Sequence, residues 1–379
     1  MSNLFILFFF LLPWGNFFFR TTDLWHSTGH FVQVSILILF CYSFFEKPKY
    51  VQILNKPLGS FICWSGLVTA YGWLTVFSKT QHYPIKIFLP FFNLLCLVWL
   101  YKLITEYLNK DDIEMILRWL KYSVIILLFY CALQYLKLDE FFAGLSGHDE
   151  LTGTIGNPIH LAGLLAILQP LFFEKSRENI LSLILLWLII ILTGSATGLV
   201  VGLGVFLFWL FFKKRRLAIS FSIVSTVLLT VLRLVNKGFF FNSDRFRVWG
   251  LVCKEIKDKF ITGFGLGTYS LSNIGSTNYH WQHLHNEYLQ VVFELGLIGL
   301  ILVLWCIWDY FKTPLKTDLT IRLASIFFGF CFVSGMLSPA HLWLTSVIGL
   351  MSYAGLYIIK NEVVNGTKNS VGFKDTNRY

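Results

Sequence analysis

Charge is scarce in this chain. Asp, Glu, Lys and Arg make up 14% of its 379 residues and hydrophobic residues 56%, with a mean hydropathy of +0.65. A soluble domain needs about 25% charged residues to cover its surface, so a soluble globular enzyme is excluded. Acidic residues are the scarcer sign, 21 against 31 basic, for a formal net charge of +10. In a soluble protein that excess would suggest nucleic acid. In an apolar chain it collects in cytoplasmic loops, and no nucleic-acid partner is expected. Cysteine is sparse too. There are seven, no CxxC, and only Cys253 lies in a polar segment, so neither a disulfide framework nor a cysteine metal site is indicated. The first apolar run, LFILFFFLLPWGNFFF, lacks a basic leading region and a small-residue cleavage signal, so it reads as a retained span.

What the chain does have is a series of apolar stretches of membrane-crossing character, broken by short polar turns. The expected fold is an all-α integral membrane protein of about twelve spans, roughly 3–19, 30–45, 58–78, 84–104, 119–137, 159–174, 179–194, 196–212, 217–235, 288–311, 321–337 and 343–359. The expected organisation is nine spans in 1–235, a long outward loop at 236–287, three spans in 288–359 and a polar tail at 360–379. With both termini cytoplasmic, inward loops and the tail hold 20 of the 31 Lys and Arg, including KKRR at 213–216. There is no internal repeat and no soluble catalytic domain. The chemistry is therefore expected at the outer membrane–water interface.

Within the long loop, SDRFRVWGLVCKEIKDKF (243–260) has the period of an amphipathic helix, capped by Ser243 or Asp244 and lying along the membrane surface. Phe246, Trp249, Val252, Cys253, Ile256 and Phe260 gather on one face, with Val248 and Leu251 breaking the pattern. Arg245 falls in the middle of the apolar arc beside Trp249, whereas Arg247 points to solvent. Arg245 either snorkels to lipid headgroups or holds a buried anion, and a guanidinium fork suits phosphate. TGFGLGTYS (262–270) carries a GxGxG that either brings backbone amides to a ligand or is a flexible turn; it follows no strand, so a dinucleotide site is not expected.

NYHWQHLHNEYLQ then brings His280, His283, His285, Asn286 and Glu287 to the mouth of a span that contains Glu294. HxxHxHxE is not a zincin motif, and histidines at an interface suit proton transfer near neutral pH better than metal binding. Glu294 is either a structural hydrogen-bonding group or part of the site, and Gly296 and Gly299 allow close helix approach beside it. Upstream, GTIGNPIHLAG (153–163) has Asn157 before Pro158 as a helix start, with His160 in the first turn. GSATG (194–198) is a tight break between spans, and SPAHLW supplies His341.

GTIGNPIHLA, TGSATG, a basic turn, DRFRVW, GFGLGTY and HLHNEYLQVVFELGLIG, in this order, resemble the O-antigen ligase and polymerase superfamily of bacterial inner-membrane glycosyltransferases. The resemblance covers residues 150 to 310, and the earlier spans only by hydropathy. It implies transfer of a glycan from a polyprenyl-diphosphate carrier to an acceptor hydroxyl, on lipid A-core or a similar glycan, without metal or other cofactor. It further implies His285 as the general base, with His283 beside it, and Arg245 as the diphosphate ligand. Arg247, Trp249, Asn157, Asn286 and Glu294 are the other candidate substrate contacts. One departure is that Ser195 is followed by Ala196 where the family often has arginine, which removes a second phosphate ligand; Arg233 or Lys237 are candidate substitutes. A polymerase with the same chemistry is the nearest alternative. A flippase is a more distant one, because transporters place polar groups at the midplane, among repeats.

Overall fold

The structure is a computed structural model and describes residues 1–14, 24–48, 56–77, 84–138, 151–174, 176–223, 243–269, 284–336 and 343–372. Among these residues every regular element is helical and no strand occurs. In chain order the helices are α1 (Ser2–Leu11, prolonged by a 3-10 turn to Trp14), α2 (Leu24–Ser43), α3 (Lys56–Phe77) and α4 (Pro84–Tyr107). Next come α5 (Lys110–Tyr135), α6 (Pro158–Leu168, running into a 3-10 turn Gln169–Phe172), α7 (Arg177–Leu192), α8 (Ala196–Lys213) and α9 (215–223). The last four are α10 (Ser243–Glu255, followed by a 3-10 turn Ile256–Lys259), α11 (Glu287–Phe311), α12 (Asp318–Ser334) and α13 (Trp343–Gly372). Each expected apolar segment carries helix. By length and composition, α5, α8 and α11 are the described helices able to cross a membrane unaided.

The helix starts follow from local chemistry. Asn109 and Asp112 form a reciprocal capping box, so α5 begins nine residues before the apolar run and includes the charged turn KDDIEM. Ser195 Oγ accepts from Gly198 N at 3.1 Å and starts α8 after the left-handed Gly194. Asn157 Oδ1 accepts from the amides of Ile159 and His160, with Pro158 as the first helical residue of α6.

The helices pack by small-residue contact, as expected where lipid is as apolar as leucine. Gly198 on α8 lies against Ala162 on α6 with no room for a side chain, and a Cβ on Gly329 of α12 would stand 2.7 Å from the Val205 side chain of α8. α6, α8, α12 and α13 form the centre of the bundle, with α6 apolar and buried along nearly its whole length. The outer faces are apolar as well. α7 exposes Ile180, Ile184, Leu188 and Ile191, and α5 exposes Trp119, Tyr122, Ile126 and Phe129. Such stripes at helical spacing are what a lipid-facing helix presents.

Polar ties sort by end of the bundle. Lys213 pairs with Asp318 and Arg322 with Glu174, while the Lys110 amide donates to Glu362 Oε1. All of these lie in segments that alternation of spans places on one side. On the other side, Thr154 Oγ1 donates to the Pro13 carbonyl at 2.6 Å, and Gln134 Oε1 accepts from the amides of Thr152 and Gly153.

Candidate active site at one end of the bundle

The loop helix α10 forms as expected, but its buried face is rotated from the expected one. Val248, Val252 and Ile256, at i, i+4 and i+8, are buried in a small core with Tyr269, Leu284 and Phe293. Trp249 packs on the edge of this core, whereas Phe246, Cys253 and Phe260 are exposed. Val248 therefore belongs to the face rather than breaking it. The correction has a physical cause: the partners that select this face come from a glycine loop and a helix far along the chain, and periodicity alone weighs only neighbours.

Arg245 is at the N-terminal end of the same ridge and is half-buried, whereas Arg247 is exposed, as the sequence indicated. The Arg245 guanidinium donates through Nη1 to the Met336 carbonyl at 3.2 Å, just past the C-terminal end of α12. A cation there is favoured by the partial negative charge of a helix C-terminus. Its Nε is buried and makes no hydrogen bond among the described residues, which leaves donor capacity there on the guanidinium.

His285 lies just before α11 and, among the described site candidates, is the one with left-handed backbone, φ 53°. Burial and the nearby Arg245 guanidinium pull its imidazole down from the ordinary 6.5 to about 4. The structure thus brings Arg245 and His285, forty residues apart in sequence, into one electrostatic neighbourhood. Beside them, between α11 and α12, is a cavity of about 410 Å³ lined by Tyr288, Phe328, Cys331, Phe332, Gly335 and Met336. Met336 links this cavity to Arg245, and Tyr288, whose hydroxyl donates to the Cys331 carbonyl at 2.7 Å, is one helical turn from His285.

The remaining candidates have defined places. Trp249 Nε1 donates to the Leu284 carbonyl at 2.8 Å, directly before His285. Asn286 caps α11, its Oδ1 accepting from Leu289 N at 3.0 Å. Asn157 is engaged in capping α6, in a segment whose ties run to Pro13 and Gln134 rather than to the Arg245–His285 pair. Glu294 is 4% exposed, and its Oε1 accepts from the Tyr269 amide and from Gln290 Nε2. His280, His283, Arg233, Lys237 and His341 lie outside the described residues.

The glycine-rich segment is neither a ligand cradle nor a plain turn. α11 breaks at Gly296, where φ is 70° and ψ −173°. The break frees three carbonyls and two amides, and each finds a partner. Phe264 N and Gly265 N donate to the carbonyls of Phe293 and Glu294 at 2.9 and 2.8 Å. Trp64 Nε1 of α3 donates to the Leu295 carbonyl at 2.8 Å. Leu297 N and Ile298 N donate to the carbonyls of Phe260 and Ile261. Close approach requires the glycines: a Cβ on Gly296 would collide with the Ile261 carbonyl and stand 2.7 Å from Gly263 N. Gly265 is fitted against Gly72 of α3 in the same way.

Sequence reasoning missed Gln290, Tyr288, Trp64 and the Met336 carbonyl. Gln290 had a signal, being a polar residue one turn before Glu294 in an apolar run. The Met336 carbonyl had none, since a backbone oxygen is the same in every sequence.

Residues 181–304 match the family model described as O-antigen ligase. A Rickettsia conorii protein that bears the provisional name polysaccharide ligase is 35% identical over 80 residues, which is 18% of this chain and 20% of that protein. The match thus spans about a fifth of the length of that relative. Most of α7, α8, the helix with Arg245, the glycine stitch, His285 and most of α11 fall within 181–304, and on that stretch the chain is similar to the O-antigen ligase family.

Proposed function

We propose that this protein transfers a glycan from a polyprenyl-diphosphate carrier to a hydroxyl of lipid A-core or a similar acceptor, at the outer face of the bacterial inner membrane. On this reading the chain crosses the membrane twelve times with both termini cytoplasmic. The segment 236–287 faces outward with α10 on the membrane surface at headgroup level, where Phe246 and Phe260 meet lipid.

The observation that carries the reading is the meeting of Arg245 and His285 beside an apolar cavity. A lipid diphosphate has an anionic head at the interface and an apolar chain below it, and the guanidinium and the cavity between α11 and α12 suit those two parts. The acceptor oxygen attacks the anomeric carbon of the donor glycan and forms a new C–O bond. The bond from that carbon to the phosphate oxygen breaks, and its electron pair leaves with the polyprenyl diphosphate. The acceptor proton passes to His285, which is neutral at pH 7. A bound diphosphate beside Arg245 offsets the cation and makes the imidazole more basic when the donor is in place.

The test is to incubate the purified protein and its His285→Ala variant with a polyprenyl-diphosphate oligosaccharide and lipid A-core. A single glycan on the core, lost in the variant, is expected. A ladder built on the carrier lipid would make the enzyme a polymerase. No covalent product across several donors would sink the transferase reading.

A further inference from the structure

The backbone of Leu284, the residue before His285, is held at both its amide and its carbonyl by side chains. Trp249 Nε1 of α10 donates to the Leu284 carbonyl at 2.8 Å, and Gln290 Oε1 of α11 accepts from the Leu284 amide at 3.4 Å. Gln290 is itself fixed, its Nε2 donating to Glu294 Oε1, which also accepts from the Tyr269 amide of the glycine loop. Leu284 is fully buried in the small core under α10. The next residue but one, Asn286, caps α11. Between these anchors is His285 with its left-handed backbone. A non-glycine residue holds that conformation only where its surroundings impose it.

We infer that Trp249 and Gln290 are positioning residues that clamp the Leu284 backbone at its carbonyl and its amide and so hold His285 in its left-handed conformation near the Arg245 guanidinium. Neither needs to touch substrate. The clamp joins the helix that carries the cation to the helix that follows the base. Their spacing is then set by two hydrogen bonds to the backbone of one residue, not by the long connection between them. Trp249 is well suited to this task. Its ring rests on the small core and on Phe246, with centroids 5.2 Å apart, so the indole N–H has one direction in which to point. Gln290 is 8% exposed, and its two polar ends are committed to different partners. Such support for a reacting group is what keeps it within a productive geometry.

Among the described residues, the charged group that acts on His285 is Arg245 on α10; Glu287 and Tyr288 follow it on α11, and Cys331 on α12 adjoins Tyr288. Neither clamp residue is titratable, so changing them alters the placement of the imidazole without altering the charges around it. Trp249→Phe keeps the ring and removes the donor, while Gln290→Met keeps the length and removes both polar ends. Both variants, the wild type and His285→Gln would be prepared as full-length protein in lipid nanodiscs with carbon-13-labelled histidine. His285→Gln identifies the His285 signal among the nine histidines.

With the clamp open, the imidazole gains water and its titration midpoint moves up toward the ordinary 6.5. On the transferase reading, kcat also falls by about 10- to 100-fold while KM for the donor stays near wild type. A midpoint and kcat unchanged in both variants would overturn the clamp. So would a lowered melting temperature with an unchanged midpoint, since that marks mere packing. The titration needs no turnover. A midpoint shifted in the variants, together with a wild-type protein that transfers nothing, would therefore support the clamp and reject the transferase reading.

Discussion

At the scale of single residues, Arg245 and His285 determine each other's behaviour. Replacing Arg245 with Lys keeps the charge but loses the planar fork that holds a phosphate while still bonding Met336. KM for the donor is expected to rise about 10- to 100-fold, the usual worth of one or two charge-assisted hydrogen bonds, as steady-state kinetics in nanodiscs would show. His285 has a depressed pKa in the folded chain, about 4 against 6.5 in the unfolded one. Between those values the unfolded state binds more protons, so stability falls as pH drops from 6.5 toward 4 and the loss is complete below 4. His285→Gln lacks this term. Melting curves of the two proteins, compared from pH 7 to pH 4, should show the wild type losing more stability through that window. A gap that stays constant with pH would contradict a buried neutral imidazole. Both residues could be singled out from sequence: Arg245 because a charge inside an apolar arc is conspicuous, His285 because it stands directly before Asn286 in the motif that resembles the family's. Their nearness could not, because it depends on the end of α12 reaching α10 through a backbone carbonyl.

At the scale of elements, the broken helix explains the glycines. Gly296 needs both a positive φ and empty space, Gly194 needs only the positive φ with nothing within 4 Å, and Gly59 needs neither. Substitution by alanine should rank accordingly. Gly59→Ala is neutral or gains about 1 kcal/mol from helix propensity. Gly194→Ala loses about 1–2 kcal/mol to left-handed strain. Gly296→Ala loses more than either, because the Ile261 and Gly263 backbones must part. Trp64→Phe should cost about 1–3 kcal/mol by stranding the Leu295 carbonyl. Thermal unfolding followed by fluorescence in one lipid composition would give the order. GxGxG was visible in the sequence as a motif, but its meaning was not, because the complementary surface is a break in a helix that reads as continuous apolar sequence. The face of α10 was misread for the same reason: Val248 is chosen by Tyr269, Leu284 and Phe293.

At the scale of the whole molecule, apolar surface faces outward along the helices and polar ties gather at the two ends. Helix content and the apolar stripes were legible from hydropathy, because each depends only on local composition. Which helices meet was not, since close pairs such as Gly198 with Ala162 are set by shape. The cysteines test the arrangement without any substitution. Cys253 is exposed on a helix assigned to the outer surface, Cys41 and Cys63 are exposed on apolar helices that would face lipid, and Cys131 is buried. A membrane-impermeant maleimide applied to spheroplasts is expected to label Cys253 and to spare the other three. Labelling of Cys253 only after the cells are broken would place α10 on the opposite side.

The broken helix also bears on how the chain is made. Every group that satisfies the break at Gly296 comes earlier in the chain: Trp64 on α3, and Phe260, Ile261, Phe264 and Gly265 immediately after the surface helix. Synthesis runs from the N-terminus, so these donors and acceptors have already emerged when Gly296 reaches the membrane. The interrupted helix can be completed as it arrives, and its five freed backbone groups need not face lipid while waiting for partners still inside the ribosome.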